Sequence, residues 1–310
     1  MKPIIPLVDP ELIESELTDD KFVRDTNNGG KKIYIITHHD SPNTMRELGR
    51  LREVSFRDAG GGTGKEVDID EYDTASFPFK QLIVWSPLDR EIVGGYRYNE
   101  GVNIPTDEQG NLKSPTSRLF KISQEFVDEY LPYTIELGRS FVQPAFQPTF
   151  NIRKGIYSLD NLWDGLGALT IDNPDVRYFF GKITMYPRFN ILARDMILYF
   201  LQKYFPDSDQ LVVPCNPVQL VTEEQELEHI FFGKDYNEDY KILINKVRML
   251  KENIPPLVNA YMNLSSTMRV FGTAINDHFG NVEETGILIT IKDIYDIKKD
   301  RHVSSYKMKS

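Results

Sequence analysis

Residues 133–142, with the sequence YTIELGRSFV, have the composition of a buried β-strand that two charges interrupt. In a regular strand, Glu136 and Arg139 point to opposite faces, because side chains alternate with a period of two. Gly138 lies between them, and an isolated glycine inside a strand often marks a β-bulge. One inserted residue would bring the two charged side chains to the same face. The stretch therefore predicts a bulged strand that carries an acid beside a guanidinium.

Two interpretations of this pair remain open from the residues alone. A buried carboxylate beside an arginine is stable only when it is paired, because desolvating either charge alone is costly. In the first interpretation, Glu136 and Arg139 form a structural ion pair. In the second, Glu136 is a general base and Arg139 is the charged group that orients it.

The composition is that of an ordinary globular protein. The 310-residue chain is 40% hydrophobic and 26% charged, so it can bury a full core. Its net charge of -10 argues against nonspecific binding to nucleic acid, whose phosphates it would repel. Cys215 is the single cysteine, so we expect no intramolecular disulfide and no structural metal site.

Neither a secretory signal nor a membrane-spanning segment is predicted. The first residues, MKPIIPLVDPELIESELTDDKF, contain early acids and no long apolar core. No window approaches the roughly 18 apolar residues that a spanning helix needs. We expect a cytoplasmic protein, and peripheral contact with the inner membrane stays open.

Turn signals and hydrophobic periodicity predict the order of the helices and strands. Strands are expected in 31–38, in a hairpin at 80–98, and in 133–142, 176–185 and 286–297; helices are expected in 41–59 with Ser41 or Asn43 as N-cap, in 158–175 with Ser158 as N-cap, and over much of 187–260. Residues 117–131 are expected to be helical or mixed. This order predicts an α/β (α+β) fold around one sheet. We expect residues 1–30 to be an N-terminal extension and residues 31–310 to form a single domain with a helical insertion at about 187–260.

The segment AGGGTGKE, residues 59–66, resembles a phosphate-binding P-loop but departs from it. Ala59 stands where the first glycine is needed, and Glu66 stands where a serine or threonine would bind magnesium. The segment also follows a predicted helix, whereas a P-loop joins a strand to a helix. A surface loop near an active site is the better interpretation.

The acidic run VDIDEYD, residues 67–73, allows three interpretations. Such runs are usually solvated loops. A metal site would need a better-defined ligand set. Because Asp68 and Asp70 would share one face of an extended segment, they could also bind the ammonium group of a substrate.

Four other large side chains have ordinary explanations when each is considered alone. Arg52, Arg57 and Arg97 are each expected at the surface. Trp163 lies on a predicted helix among leucines, where core packing is the default.

Together, these segments resemble bacterial N-acyltransferases of the ornithine-lipid and glycine-lipid type. LREVSFRDAGGG, DIDEYD, IVGGYRY, IELGRSFV, LDNLWDGLGAL and YFFGKITMYP occur in the order found in that family, and IPPLVNAYMNLSSTMRVFGTAINDHFG resembles its C-terminal part. The resemblance covers roughly residues 45–290. The family, one group of which is often labelled hemolysin, is GNAT-like and is related to acyl-homoserine lactone synthases.

The resemblance implies a GNAT-like fold with a central mixed sheet, flanking helices and a C-terminal helical extension. Two neighbouring strands would splay apart around the pantetheine arm of the donor, here residues 134–142 and 177–185. The implied reaction moves a 3-hydroxyacyl chain from acyl carrier protein to the α-amino group of glycine or ornithine, which makes a lyso-aminolipid. No bound cofactor is implied, and the donor would be acyl-ACP, a 4′-phosphopantetheine thioester, or acyl-CoA.

The resemblance also assigns roles to residues of this sequence. Glu136 would be the catalytic base, and Arg139 would orient it or hold the acceptor carboxylate. Backbone N–H groups at the bulge would stabilise the oxyanion. The acceptor site would be lined by Arg52, Arg57, Asp70, Asp73 and Arg97. The acyl donor would be bound by Phe141, Val142, Arg153, Lys154, Trp163 and Lys182.

The sequence departs from the usual GNAT pattern after the bulged strand. Residues 146–161 lack the pyrophosphate-binding loop and offer only Arg153, Lys154 and a lone Gly155. This departure weakens acetyl-CoA as the donor and favours a protein-borne pantetheine. Because acyl carrier proteins are acidic, we expect a local basic dock, for which Arg153, Lys154, Lys182 and Arg188 are candidates. The same residues could equally be scattered solvated charges.

Alternative functions stay open at this point. Among enzymes, an acetyl-CoA-dependent N-acetyltransferase and an autoinducer synthase are the rivals. Outside enzymes, the chain could be a noncatalytic module that binds lipid or carrier protein.

Overall fold

The computed structural model describes residues 1–306 and divides the chain into two compact units. The first unit contains residues 1–105, 131–177 and 295–306; the second contains residues 106–130 and 178–294. The assignment of residues 31–310 to a single domain stays a prediction. None of the helices within residues 1–306 combines the length and the apolar character needed to cross a membrane.

Helices and strands alternate along the described chain. The α-helices are α1 (Pro10–Glu16), α2 (Pro42–Ala59), α3 (Glu71–Thr74), α4 (Ile152–Gly155), α5 (Ser158–Asp172), α6 (Ile191–Tyr204), α7 (Glu224–Ile230), α8 (Tyr236–Met249), α9 (Pro256–Met262) and α10 (Asp296–His302). The strands are β1 (Phe22–Asp25), β2 (Lys32–Ile36), β3 (Lys80–Ser86), β4 (Glu91–Glu100), β5 (Phe120–Ile122), β6 (Thr134–Val142), β7 (Tyr178–Met185), β8 (Val212–Pro214), β9 (Arg269–Asn276) and β10 (Val282–Thr290).

The sheet of the first unit has the strand order β1-β2-β3-β4-β6, and every neighbouring pair is antiparallel. The predicted hairpin is confirmed, since β3 and β4 pair across the turn at 87–90. Residues 1–30 contribute β1, so this segment is part of the sheet rather than only an extension.

Helices α2 and α5 cover opposite faces of this sheet. Leu82 pairs with Tyr96, whose hydroxyl donates to the Leu162 carbonyl of α5. The neighbouring residue Gln81 points the other way and accepts a hydrogen bond from Arg52 of α2. The period of two along β3 therefore gives one face to each helix.

The second unit has a sheet with the order β7-β10-β9, again antiparallel, and a separate β5-β8 pair. The predicted helical segment at 187–260 contains α6, α7 and α8, but it also contains the short strand β8. Strand β9 was not predicted. The predicted last strand ends early, at Thr290, where a 3₁₀ turn begins.

One predicted cap is wrong by one position. Tyr157 is the N-cap of α5, and Ser158 is its first helical residue. At α2, Ser41 occupies the predicted N-cap position, although its side chain makes no capping hydrogen bond.

Candidate active site

A row of buried polar side chains lies on the α2 face of the first sheet. The strand register places Gln81 opposite Arg97 and Asn99 opposite Glu136. These side chains are almost fully buried, with exposures of 0% for Gln81, 1% for Arg97, 3% for Asn99 and 2% for Glu136. Buried polar groups must find partners or pay a desolvation cost. The row is therefore the first place to look for chemistry in this unit.

Helix α2 supplies the first partner of the row. Arg52 is fully buried, at 0% exposure, and its Nη1 lies 3.3 Å from an Asp73 carboxylate oxygen. Its other amino group donates to Gln81, whose amide in turn donates to Asp73 at 3.0 Å. Although Asp73 and other acids favour its charged form, burial lowers the pKa of Arg52. The expectation that Arg52 lies at the surface is wrong, because the acidic segment folds over it.

The acidic segment is ordered by a short helix. Asp70 is the N-cap of α3 and accepts from the backbone of Tyr72 and Asp73, while Asp73 accepts from the backbone of Asp70, which completes a capping box. This local motif turns both carboxylates toward Arg97, whose Nη1 lies 2.7 Å from Asp70 and 3.2 Å from Asp73. Burial opposes ionisation of Asp70, but Arg97 outweighs it and holds the pKa of Asp70 well below its usual range. Arg97 is likewise buried rather than at the surface, contrary to expectation.

Strand β6 contains the predicted bulge. Gly138 pairs with Arg97 and Phe141 pairs with Gly95, so Arg139 and Ser140 together face the single residue between them on β4. Arg139, rather than the glycine, takes the left-handed conformation, with φ of 53°. This conformation is uncommon for a non-glycine residue. The bulge turns the guanidinium toward Asp68, at 2.7 Å between Nε and the carboxylate.

Glu136 lies on the same strand, two residues before Gly138, and only 2% of it is exposed. The charge of Glu136 acts on Tyr72 of α3. Burial, Asp70 and Glu136 together raise the pKa of Tyr72 to about 12. The phenol therefore stays protonated around neutral pH. A direct pairing of Glu136 with Arg139 stays a prediction.

Comparisons with known proteins identify the chemistry of this fold. A model of the acetyltransferase (GNAT) domain matches residues 51–153, the stretch that carries the buried row and its partners. A protein named glycine N(alpha)-acyltransferase from Phocaeicola vulgatus is 55% identical over 99% of this chain and 94% of its own length. A protein of the same name from Bacteroides thetaiotaomicron is 56% identical over 99% of this chain and 91% of its own length.

The chain belongs to this family of GNAT N-acyltransferases. The resemblance found in the sequence and the predicted GNAT-like α/β fold are confirmed. A solved structure of a CoA-dependent acyl-homoserine lactone synthase, BjaI, with MTA also matches, covering 89% of this chain and 92% of that chain at 12% identity and a TM-score of 0.39.

Arg57, a predicted acceptor-site residue, makes its contacts away from the buried row. Arg57 pairs with Glu53 of its own helix and donates to the backbone carbonyls of Lys2 and Lys65. Its contacts hold the glycine-rich loop against α2, so they give Arg57 a structural role.

The predicted donor-binding residues belong to both units. Phe141 is buried in the first unit, and Val142 follows it at the end of β6. Lys154 pairs with Asp89 at 2.6 Å, and Arg153 beside it is exposed. Trp163 is only partly buried, against the expectation of core packing. In the second unit, Lys182 pairs with Glu284 at 3.5 Å, and Arg188 is exposed.

Sequence reasoning missed Gln81, Asn99 and Tyr72 as members of the site. Tyr72 lay within the acidic run but was not singled out. Gln81 carried a usable signal, because it is a polar residue directly before the apolar run 82–85 of its strand. Asn99 carried one as well, because it alternates with the aromatic residues Tyr96 and Tyr98.

Proposed function

We propose that this N-acyltransferase moves a 3-hydroxyacyl chain from acyl carrier protein to the α-amino group of glycine, with Glu136 as the base. The product would be an N-acylated amino acid of the lyso-aminolipid type. The glycine acceptor is supported by the name of the two relatives, which share 55% and 56% identity across nearly the whole chain.

The observation that carries the proposed site is a buried acid on the same strand as a break in strand pairing, a few residues before it. Glu136 is 2% exposed, and the irregular pairing begins at Gly138. A bulge leaves backbone groups out of the ladder. Those N–H groups can donate to an oxyanion, which is the main electrostatic requirement of acyl transfer.

The reaction follows from this arrangement. Glu136, directly or through a water molecule, accepts a proton from the glycine amine, and the nitrogen lone pair attacks the thioester carbonyl carbon. The carbonyl oxygen takes the negative charge and is held by N–H groups of the bulge. When the tetrahedral intermediate collapses, the C–S bond breaks, and the pantetheine sulfur leaves as a thiolate.

The surrounding charges divide into two roles by their burial. Arg52, Arg97 and Asp73 are at most 1% exposed, so they position neighbouring groups rather than touch the acceptor. The side chains of Asp70 and Arg139 are 13% and 17% exposed and can contact it. Their opposite charges can attract a zwitterionic amino acid to the site.

A protein-borne donor is supported by the segment between β6 and α5. Its single glycine, Gly155, packs on the backbone of residues 147–148: an added Cβ would lie 2.4 Å from the Pro148 nitrogen. This glycine therefore serves the packing of the segment, and the segment supplies no glycine-rich turn for the pyrophosphate of CoA.

The proposal is tested by supplying purified protein with one donor and one acceptor at a time. The donors are 3-hydroxyacyl carrier protein and 3-hydroxyacyl-CoA, and the acceptors are glycine and ornithine, with products identified by mass spectrometry. We expect acylglycine from the carrier-protein donor. A preference for CoA contradicts the donor, acylornithine alone contradicts the acceptor, and the lack of any amide product contradicts the reaction.

Glu136→Gln tests the base. The variant keeps the shape of the side chain but cannot take a proton, so kcat should fall by roughly 10²- to 10⁴-fold. Single-turnover kinetics would measure the loss, and circular dichroism would verify that the fold is kept.

Glu100→Gln is the matched control. Glu100 ends the neighbouring strand β4, pairs with Lys80 at 2.7 Å and is partly exposed. This control should keep its activity. If Glu136→Gln is as active as the control, Glu136 has a structural role only.

A further inference from the structure

Asn99 is a buried amide of the row that lies on strand β4. It is 3% exposed, and among residues 1–306 its side chain makes no hydrogen bond. The other members of the row differ, since Gln81 binds Arg52 and Asp73, and Arg97 binds Asp70 and Asp73. A polar side chain of the row that bonds to none of these residues can bond to a ligand or to a water molecule.

The position of Asn99 places it at the proposed base. It lies directly opposite Glu136 in the β4–β6 register. Directly opposed residues of an antiparallel pair share one face, with Cβ atoms about 4.5–5.5 Å apart. A ligand group beside the Glu136 carboxylate is therefore also within reach of the Asn99 amide.

The order of residues along the two strands tells which substrate Asn99 faces. The bulge begins at Gly138, opposite Arg97, and Asn99 lies on the far side of Arg97 from it. In the proposed reaction the thioester oxygen is at the bulge and the attacking nitrogen is at Glu136. The rest of the acceptor must extend away from the thioester, which is the side where Asn99 lies.

An amide suits this place because it is neutral and has both donors and an acceptor. Its Nδ2 can donate to a carboxylate oxygen, and its Oδ1 can accept from an amine. An asparagine adds no fixed charge here, so it does not compete with Glu136 for the amine of the acceptor.

Resting on the proposed function, we infer that Asn99 binds the carboxylate of the amino-acid acceptor and selects acceptors that carry one. Its amide completes its hydrogen bonds only when the acceptor is bound. The same group makes the site favour glycine over an amine of similar size without a carboxylate.

The test compares glycine with glycinamide, which keeps the amine but replaces the carboxylate by a neutral amide. In Asn99→Leu, a change of similar size without polar atoms, kcat/KM for glycine should fall roughly tenfold or more relative to glycinamide, as for the loss of a hydrogen bond to a charged group. The effect should appear in KM for glycine, while KM for the acyl donor stays the same. Asn103→Leu, which removes an exposed amide that donates to Glu100, is the control.

Thermal unfolding provides a second readout. Because Asn99→Leu breaks no side-chain hydrogen bond within residues 1–306, its Tm without substrates should stay close to that of the wild type. A structural asparagine would instead lose stability on this change. Asn99→Asp, which keeps the shape of the side chain, is the second variant. Repulsion between the new carboxylate and Glu136 should lower activity with glycine and with glycinamide alike. A loss of activity with glycine alone therefore reports contact with the acceptor carboxylate.

The outcomes separate the inference from the reaction on which it rests. A selective loss of glycine activity in both variants, with Tm maintained in Asn99→Leu, supports the role of Asn99. Equal losses with glycine and glycinamide, or full glycine activity in Asn99→Leu, overturn it while the proposed reaction stands. A wild-type protein that acylates neither amine overturns both.

Discussion

The two faces of strands β3 and β4 differ completely, although they belong to the same residues of the chain. On the α5 face, Leu82 and Tyr96 pack in an apolar layer under Gly165. On the α2 face, Gln81 and Arg97 are equally buried but lie in a network of charges. Burial of apolar area on the α5 face stabilises the fold. On the α2 face, the ion pairs only offset the cost of burying charges.

The difference shows where this protein can carry function. An apolar layer tolerates few changes of volume, but it offers no chemistry. A buried charged network adds little net stability, yet it fixes carboxylates and guanidinium groups beside Glu136. The α2 face is therefore the one on which we propose the site of acyl transfer.

The largest expected effect is the loss of one buried cation. Arg97→Met should lower the free energy of unfolding by about 3–5 kcal/mol, because it removes from Asp70 and Asp73 the cation that lies nearest to both. Urea unfolding followed by circular dichroism would measure the change.

Lys80→Met is the control, since Lys80 also pairs with an acid but its side chain is 40% exposed. Exposed pairs contribute about 0–1 kcal/mol, so the control should be nearly as stable as the wild type. Equal losses in the two variants would show that the network does not depend on Arg97.

The next effect probes the apolar face. An added Cβ at Gly165 would lie 2.6 Å from the Leu82 side chain, so Gly165→Ala should destabilise by about 1 kcal/mol after its gain in helix propensity. The measurement is again urea unfolding.

Shortening Leu82 to alanine should reverse the sign of the stability change that Gly165→Ala causes. In the Leu82→Ala background, space opens above the helix, and Gly165→Ala should become stabilising through helix propensity and cavity filling. If Gly165→Ala has the same cost in both backgrounds, the close contact between α5 and β3 is not what requires glycine.

Sequence patterns predicted the parts of this fold that depend on local periodicity. The β3–β4 hairpin, α2, α5 and the bulge in β6 are all visible as alternation, helical spacing or a misplaced glycine. Strand β9 was missed because Gly272 interrupts it, and its pairing partner β10 determines it. Local propensity cannot supply such a contact between distant segments.

The site was only partly predictable for the same reason. Glu136, Asp70 and Asp73 were singled out because acids stood out in their segments. The burial of Arg52 and Arg97 was not predicted, since it depends on α3 folding over them, and an isolated arginine gives no sign of a distant carboxylate. The left-handed conformation of Arg139 was likewise hidden, because glycine is the residue that favours it.

The smallest expected effect is a pH dependence that belongs to the charged face alone. Burial disfavours the charge of Asp70, yet Arg97 lowers its pKa below the ordinary value of 3.8. A lowered pKa in the folded state contributes stability above pH 3.8, and this contribution is lost as the pH falls through the lower folded value. The stability difference between wild type and Asp70→Asn should therefore be constant near neutrality and shrink in acid, measured by urea unfolding at a series of pH values. A constant Asp70→Asn difference down to the acid limit would contradict the coupling of Asp70 to Arg97.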